Sequence, residues 1–460
     1  MRPRAFGRSE SRRRASARAG TVLIVTIWVV LVLAGLAMVF ARSMRVAAAV
    51  SANHVASLQA ECIGDGALQY IVAKLTEAAE EDAEEDTSDM YEAQEVGKGY
   101  FWVLRSNLES DREFDFGLAD EAGKINLNSA SLEMLQRLPG MTAELAASII
   151  DWRDEDSDVT TGGAESEYYL LQSDGYQCKN LPLETVDEIL LIKGASEELL
   201  YGEDTNLNGY LDDHENDADE SEPPDNHNGR LDAGFYDYVT VYSTESNVDA
   251  EGTARINIAD TSGVSDLQTL LQETFKEERA LEIMMNSGAS SNPSFTNILD
   301  FYYRSQMTAE EFAQVADKLT TSSETTLPGL VNVNTAPKEV LLCLPGLEET
   351  DAEALVSYRE ANSDSLDSIA WVAEALDQEK AVGIGTYITV RSYQYSADVI
   401  CLSGNGRAYK RYRAILDMQG GSPRVVYWRS LTHFGWPLQP EIVAALRKGQ
   451  PLTSVVLSMH

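Results

Sequence analysis

Cysteine and histidine are scarce: 4 Cys and 5 His in 460 residues. That excludes a disulfide-dense scaffold and leaves little material for a zinc site. Basic residues are also few, 36 against 74 acidic, for a formal net charge of −38. A body this acidic repels nucleic-acid phosphate and suits a cation-binding exterior. No Walker loop, no His-Glu-x-x-His and no nucleophile elbow occurs, so no catalytic motif supports an enzyme. At 44% hydrophobic and 24% charged, the composition is that of a globular protein. The length suits about two to four structural units of ~100–200 residues each.

The charge is unevenly placed. The first twenty residues hold seven Arg (2, 4, 8, 12, 13, 14 and 18) and one Glu, a local +6, so the rest carries −44. Directly after this basic stretch, Thr21 to Phe40 is uncharged and almost wholly apolar. As a helix it matches a bilayer core of ~30 Å, and it is too long for a secretory h-region of ~7–15 residues. By the positive-inside rule the Arg-rich end stays cytoplasmic, and everything after Arg45 lies across the membrane. Ala47, Ala48, Ala49, Ala52, Ala56 and Ala60 continue the helical pattern, followed by Leu68, Ile71 and Leu75. One long helix is predicted, with Gly64 and Gly66 as a kink or weak point and the acidic run Glu80 to Asp86 as a solvated loop beyond it.

A basic leader, the junction Ala19-Gly20-Thr21, an apolar helix beginning at once and a long extension resemble type IV pilins and pseudopilins. The resemblance implies a prepilin peptidase cut between Gly20 and Thr21, then methylation of the new N-terminus. Most members of that family carry Glu at the fifth mature position; here that position is Val25. The Glu pairs with the free amine of the subunit already in the filament. A subunit at the tip has no such neighbour, and loss of the Glu resembles the K-type minor pseudopilin of type II secretion.

Ile125-Asn-Leu-Asn-Ser-Ala-Ser recurs as Val331-Asn-Val-Asn-Thr-Ala-Pro, and the match runs without gaps to Arg153 and Arg359. Asn126/Asn332, Asn128/Asn334, Leu138/Leu344, Pro139/Pro345 and Gly140/Gly346 are among the identical pairs. A weaker echo, Ile256-Asn-Ile, opens a third helical stretch. Each full unit reads helix, Leu-Pro-Gly turn, helix, which is a helix-hairpin-helix. Such units bind DNA when hairpin glycines expose N–H groups to a phosphate beside Lys or Arg. Here the second glycine is missing and Glu144, Glu348, Glu349 and Asp351 flank the turns, so a packing module is expected.

Strand signals lie on both sides of the helices: Tyr100 to Leu104, then Phe114, Phe116 and Leu118, and later Tyr387 to Arg391, Ala397 to Leu402, Tyr409 to Met418 and Arg424 to Trp428. Ser403-Gly-Asn-Gly is a hairpin turn signal. The expected fold is α+β: a pilin-like long N-terminal transmembrane helix packed on an antiparallel sheet, with a large inserted α-helical (helix-hairpin-helix, SAM-like) domain. The boundaries are leader 1–20, helix 21–80 with 21–40 in the membrane, first sheet part 81–124, helical domain 125–375, second sheet part 376–435 and tail 436–460. This order again resembles the K-type pseudopilin, as do the strings Asp120-Glu-Ala-Gly-Lys-Ile-Asn-Leu-Asn, Gly163-Ala-Glu-Ser-Glu-Tyr-Tyr and Pro182-Leu-Glu-Thr-Val-Asp-Glu-Ile. Nothing familiar is found after Gly435.

The segment 203–237 is acidic. Its part from Glu203 to Asp225 holds ten carboxylates and no Lys or Arg. Within it, Asp204, Asn206, Asn208, Gly209, the carbonyl of Tyr210, Asp212 and Glu215 fit positions one, three, five, six, seven, nine and twelve of an EF-hand loop. Oxygen donors in this number suit Ca²⁺. A degraded second copy offers Asn226, Asn228, Gly229, the Arg230 carbonyl and Asp232, with Pro224 in place of the first carboxylate and Phe235 in place of the last. Asp225 by a shifted register, or Asp237, would complete it. A third candidate set is Asp154, Asp156, Asp158, Glu165 and Glu167 around a Gly-Gly turn. Calcium in the globular region is also what the family resemblance implies, without a residue-by-residue match of ligands. His214 and His227 sit inside the acidic loops. Cys62, Cys178, Cys343 and Cys401 allow three full pairings or buried thiols.

The resemblance thus implies a non-enzymatic minor pseudopilin at the tip of the periplasmic pseudopilus of type II secretion, nucleating or capping the filament and supporting protein export. Its partners would be the H-, I- and J-type minor pseudopilins, the major pseudopilin, prepilin peptidase and the inner membrane, with no nucleic acid. It would be a single-pass inner-membrane protein with a cytoplasmic N-terminus and a periplasmic globular region. Two rivals remain: a membrane-anchored helix-hairpin-helix protein for DNA binding and uptake, and an anchored calcium-binding surface protein that is never cleaved.

Overall fold

The computed structural model describes residues 13–78, 88–108, 115–218, 220, 223, 225–290, 294–450 and 452, with side chains from Thr21 onward. Helix α1 (Arg13–Ala78) runs for 66 residues, about 100 Å at 1.5 Å per residue. It is long and apolar enough to cross a membrane, and none of its most apolar window is buried in the chain. Its outer half is different. Ala56, Ala60, Ile63, Ala67, Ile71 and Leu75 recur every three or four residues and are buried, forming one stripe. The acidic run after it lies outside the described residues. The expected kink at Gly64 and Gly66 does not appear as a break: the helix is continuous through both. Their small size serves approach. A Cβ at Gly64 would stand 2.9 Å from the Tyr412 ring, and one at Gly66 3.1 Å from Val96 Cγ1.

The stripe packs on an antiparallel sheet. Its main path is β1 (Gln94–Val96), β2 (Gly99–Arg105), β13 (Gln394–Leu402), β14 (Tyr409–Asp417) and β15 (Arg424–Ser430), while β3 (Asp115–Phe116) pairs with β2 and β4 (Ala119–Asp120) with β13. Alternation sorts the side chains. Phe101, Val103, Ala397, Val399, Cys401, Ala414 and Leu416 face α1. Trp102, Leu104, Ile400 and Leu402 face the other way, into a second cluster with Leu438, Ile442, Leu446 and Leu452. The tail is therefore part of the fold: α14 (Pro440–Arg447) covers the sheet face opposite α1. With both faces covered, every residue of β13 except Tyr395 is buried, the polar Gln394, Ser396 and Asp398 included.

Between β4 and β13 lies the helical domain, built from three units. Each opens with a two-residue strand and closes with another, paired in parallel: β5 (Ile125–Asn126) with β6 (Val239–Thr240), β8 (Ile256–Asn257) with β9 (Leu319–Thr320), and β11 (Val331–Asn332) with β12 (Ile388–Thr389). A further short pair, β7 (Thr244–Ser246) with β10 (Thr326–Pro328), links the units. The expected strand Tyr387–Arg391 thus belongs to the third unit and not to the main sheet, which resumes at Gln394, beyond the expected boundary at 376. Ile388 and Thr389 pair with Val331 and Asn332 and are buried there.

The asparagine of each opening strand accepts the N–H two residues on: Asn126 from Asn128, Asn257 from Ala259, Asn332 from Asn334. In the first and third units a short helix, a turn at Gly140 (φ 69°) or Gly346 (φ 78°) and a longer helix follow: α2 (Leu132–Gln136) with α3 (Ala143–Arg153), and α10 (Lys338–Leu342) with α11 (Glu349–Ala361). Arg153 and Arg359 end the longer helices and donate back to the opening segment, to the carbonyls of Leu127 and Ala130 and of Val333 and Ala336. The first unit also holds α4 (Ser166–Tyr169) and α5 (Glu197–Tyr201). The second unit carries α6 (Val264–Thr274), α7 (Glu277–Ser287), α8 (Ile298–Ser305) and α9 (Ala309–Ala316), and the third ends in α12 (Val372–Ala375) and α13 (Gln378–Ile384). One continuous core runs through all three.

Candidate cation-binding loops

The loop Asp204–Glu215 folds around its own carboxylates. Asp204, 3% exposed, accepts the N–H groups of Asn208 (3.0 Å) and Gly209 (2.8 Å). Glu215, 1% exposed, accepts those of Thr205 (3.0 Å) and Asp212 (3.1 Å). Asp212 Oδ2 receives the side-chain amides of Asn206 (2.7 Å) and Asn208 (3.0 Å). Gly209 takes φ 67°, the left-handed turn required at the sixth position. Asn206 Oδ1 is buried without a hydrogen-bond partner. Burial first, then the neighbouring Glu215, pushes the Asp204 carboxyl up to about 7. Burial, with the charge of Asp212, pushes Glu215 up to about 7. Two deeply buried acids and an orphaned oxygen in a segment without Lys or Arg fit a hard cation held by oxygens.

The second loop repeats the local geometry. Asn226 and Asn228 donate to Asp232 Oδ2 at 2.5 and 3.0 Å, Arg230 N–H donates to Asn228 Oδ1, and Gly229 takes φ 76°. Asp225 accepts the N–H groups of Asp217 and His227, so it sits in the loop. The charge of Asp237 acts on Asp204 and Arg413. Glu203, which spacing did not single out, accepts the Asp232 N–H, and burial followed by the charge of Asp232 raises its carboxyl. This loop is more exposed than the first; its Pro224 lies outside the described residues.

The third set is redrawn by the fold. Asp154 Oδ1 and Glu165 Oε1 are buried without partners, and so are Asp151 Oδ2 and Asn180 Oδ1. Asp151 is fully buried and Glu165 4% exposed. Burial, then Asp151 and Asp154, raises the Glu165 carboxyl; burial, then Asp156 and Asp151, raises that of Asp154. A Cβ on Gly163 would stand on Asp151 Oδ2, so the Gly-Gly turn makes room for this oxygen cluster. Asp156, Asp158 and Glu167 are exposed; Asp156 holds the Asp158 N–H and lends its carbonyl to Asn180. Asp151 and Asn180 were missed because one lies on a helix face and the other 15 residues beyond Glu165. Among the described residues, no three His, Cys, Asp or Glu side chains converge closely enough to hold a metal as they stand. Asn oxygens and backbone carbonyls therefore have to complete any of these sites.

Other candidates resolve simply. The Gly20–Thr21 junction lies inside α1. All four cysteines are free; Cys178, Cys343 and Cys401 are buried. Arg137, at the first hairpin, donates to the carbonyls of Leu342, Leu344 and Leu347 at the second. The two hairpins thus bind each other, and the nearest arginine is committed to protein carbonyls and not left for a phosphate.

A long N-terminal helix, apolar enough to cross a membrane, laid on an antiparallel sheet with a helical domain inserted between its strands, defines an α+β protein of pilin-like architecture. Two family models described as "Type II secretion system (T2SS), protein K" match, one over residues 118–201 and the other over 331–391. These matches fall on the first and third helical units, where the chain is similar to the type II secretion protein K family. A curated relative, type II secretion system protein K of Klebsiella pneumoniae, is 40% identical over 68 residues, 15% of this chain; the match spans about a fifth (21%) of that relative's length. Among solved structures, the GspK-GspI-GspJ complex of the enterotoxigenic Escherichia coli type 2 secretion system aligns with 81% of this chain and 96% of the matched chain, at 12% identity and a TM-score of 0.39.

Proposed function

We propose that this protein is a minor pseudopilin that stands at the tip of the type II secretion pseudopilus, nucleates or caps the filament and so supports export across the outer membrane. The observation that carries the reading is the pair of protein K domains inserted into a sheet that rides on a 66-residue helix. Thr21–Phe40 anchors the chain in the inner membrane, with the globular region in the periplasm. Prepilin peptidase cuts after Gly20, and methylation follows. Val25 leaves the fifth mature position without a carboxylate, which suits a subunit with none above it, and the helical domain is wide enough to block stacking. Its partners are the H-, I- and J-type minor pseudopilins and the major pseudopilin, and its role is structural. The test is co-purification of the full chain, in detergent, with the three minor pseudopilins. A stable assembly is expected. Purification alone under conditions where the three others assemble overturns the reading.

Calcium belongs to the same proposal. Asp204, Asn206, Asn208, the Tyr210 carbonyl, Asp212 and Glu215 would hold one ion. Asn226, Asn228, the Arg230 carbonyl and Asp232, with Glu203 and Asp225, would hold another, and Asp151, Asp154, Glu165 and Asn180 a third. The ion would supply positive charge to clustered, partly buried carboxylates, and its work is to order acidic loops. The orphaned oxygens of Asn206, Asp151, Asp154, Glu165 and Asn180 support this reading.

A further inference from the structure

The loop Asp204–Glu215 belongs by sequence to the helical domain, yet its outward contacts are with other parts of the molecule. Arg411 on β14 is completely buried. Its Nε donates to Asp398 Oδ1 (2.9 Å) and Oδ2 (3.1 Å), on the neighbouring strand β13. Its two remaining nitrogens donate to the loop: Nη1 to the carbonyl of Asn206, and Nη2 to that of Leu207 at 2.5 Å. Asn208, 2% exposed, donates from Nδ2 to the carbonyl of Pro437 at 2.9 Å, on the segment that leads into α14. Gly209 lies against Ser106, just past β2; a Cβ there would be 3.0 Å from Ser106 Cα. One twelve-residue loop therefore touches the end of β2, the β13–β14 pair and the approach to the C-terminal helix.

The donors and acceptors are divided in a telling way. Arg411 takes the backbone oxygens of Asn206 and Leu207, the third and fourth loop positions, which an EF-type loop does not use as backbone ligands. It leaves Asn206 Oδ1 unpartnered and buried. A buried guanidinium needs every donor satisfied, so the sheet's own Asp398–Arg411 pair depends on the loop staying closed. The loop in turn keeps the Asp204 and Glu215 carboxylates buried, with no Lys or Arg of the loop to offset them.

We propose that Asp204–Glu215 is a cation-set latch between the lobes. With calcium in the loop, the carbonyls of Asn206 and Leu207 close on Arg411 and the Asn208 amide closes on Pro437, which joins helical domain, sheet and α14 into one unit. With the cation removed, carboxylate repulsion opens the loop, and this joint and the C-terminal helix loosen before the rest. The latch rests on the calcium reading of this loop and extends it from local order to domain coupling.

Hydrogen–deuterium exchange on the full chain in detergent, with calcium and with chelator, tests it. The latch expects chelation to speed exchange in 204–215 and also in 409–417 and 437–447. Faster exchange in 204–215 alone overturns the latch and leaves calcium binding standing. No change in 204–215 overturns the calcium reading of that loop and the latch with it.

Discussion

Asp204 and Glu215 are 3% and 1% exposed, and neither has a Lys or Arg within its own loop. Ionised carboxylates at that depth are costly unless donors or a cation compensate. The backbone N–H groups of Asn208, Gly209, Thr205 and Asp212 compensate in part, yet both carboxyls remain well above the usual carboxylate range. The calcium proposed for this loop would remove the rest of the cost. Ligand at about 100 times its dissociation constant adds ~2.7 kcal/mol to stability, or about 5 °C in melting temperature for a domain of this size. Chelator should lower the calorimetric melting temperature by about that much. Glu215→Ala should abolish most of the chelator effect, whereas Asp89→Ala, outside the acidic loops, should leave it intact. Equal melting with and without chelator at fixed ionic strength would contradict calcium binding. This loop was legible in sequence because its donors alternate along one short stretch. The Asp151–Asn180 cluster was only half legible, since its oxygens come from a helix, a turn and a distant loop.

At the scale of elements, the outer half of α1 is held by shape. Ile63, Ile71 and Leu75 bury apolar side chains at ~1.5–3 kcal/mol each, and Gly64 lets the sheet come close enough for them to do so. Tyr412, which meets Gly64, is itself stacked on Trp428 with ring centroids 4.7 Å apart, so it has little room to retreat. Gly64→Leu should gain ~1 kcal/mol of helix propensity and lose ~1–3 kcal/mol to overpacking, a net loosening of the helix from the sheet. Limited proteolysis should show faster cleavage in the sheet. Gly35→Leu, where a Cβ meets nothing within 4 Å, should not. Unchanged proteolysis of Gly64→Leu would mean that the helix docks elsewhere. The repeat shows a different limit of sequence reading. The openings at Ile125 and Val331 align without gaps, but the closing strands Val239–Thr240, Leu319–Thr320 and Ile388–Thr389 follow at unequal distances. Only the parallel pairings reveal the weak Ile256 echo as a complete unit.

For the whole molecule, charge and topology act together. The +6 of the first twenty residues adjoins an apolar stretch of α1 that is not buried in the chain, while the remainder carries −44. If the leader is a processing signal, the mature protein starts at Thr21. Gly20→Leu should then leave the leader attached and block assembly. N-terminal sequencing of protein from a host with active prepilin peptidase checks this, and an intact Arg-rich N-terminus on the unaltered protein would contradict the pseudopilin reading.

By itself the sequence determined what is local or periodic. The apolar run Thr21–Phe40 dictates a membrane-length helix, the Ala and Ile stripe after it one packing face, the repeated Leu-Pro-Gly two helical turns, and the alternating Asp and Asn a tight acidic loop. These follow from spacing within a few residues, where backbone geometry alone sets which side chains share a face. The tertiary structure decided what depends on distant partners. It assigned Tyr387–Arg391 to the third unit, folded the tail over Trp102 and Ile400, turned Gly64 and Gly66 from a kink into a contact, and set Arg411 against the acidic loop more than 190 residues before it. Each of these is settled by which surfaces must leave water together, and no short window of sequence records that.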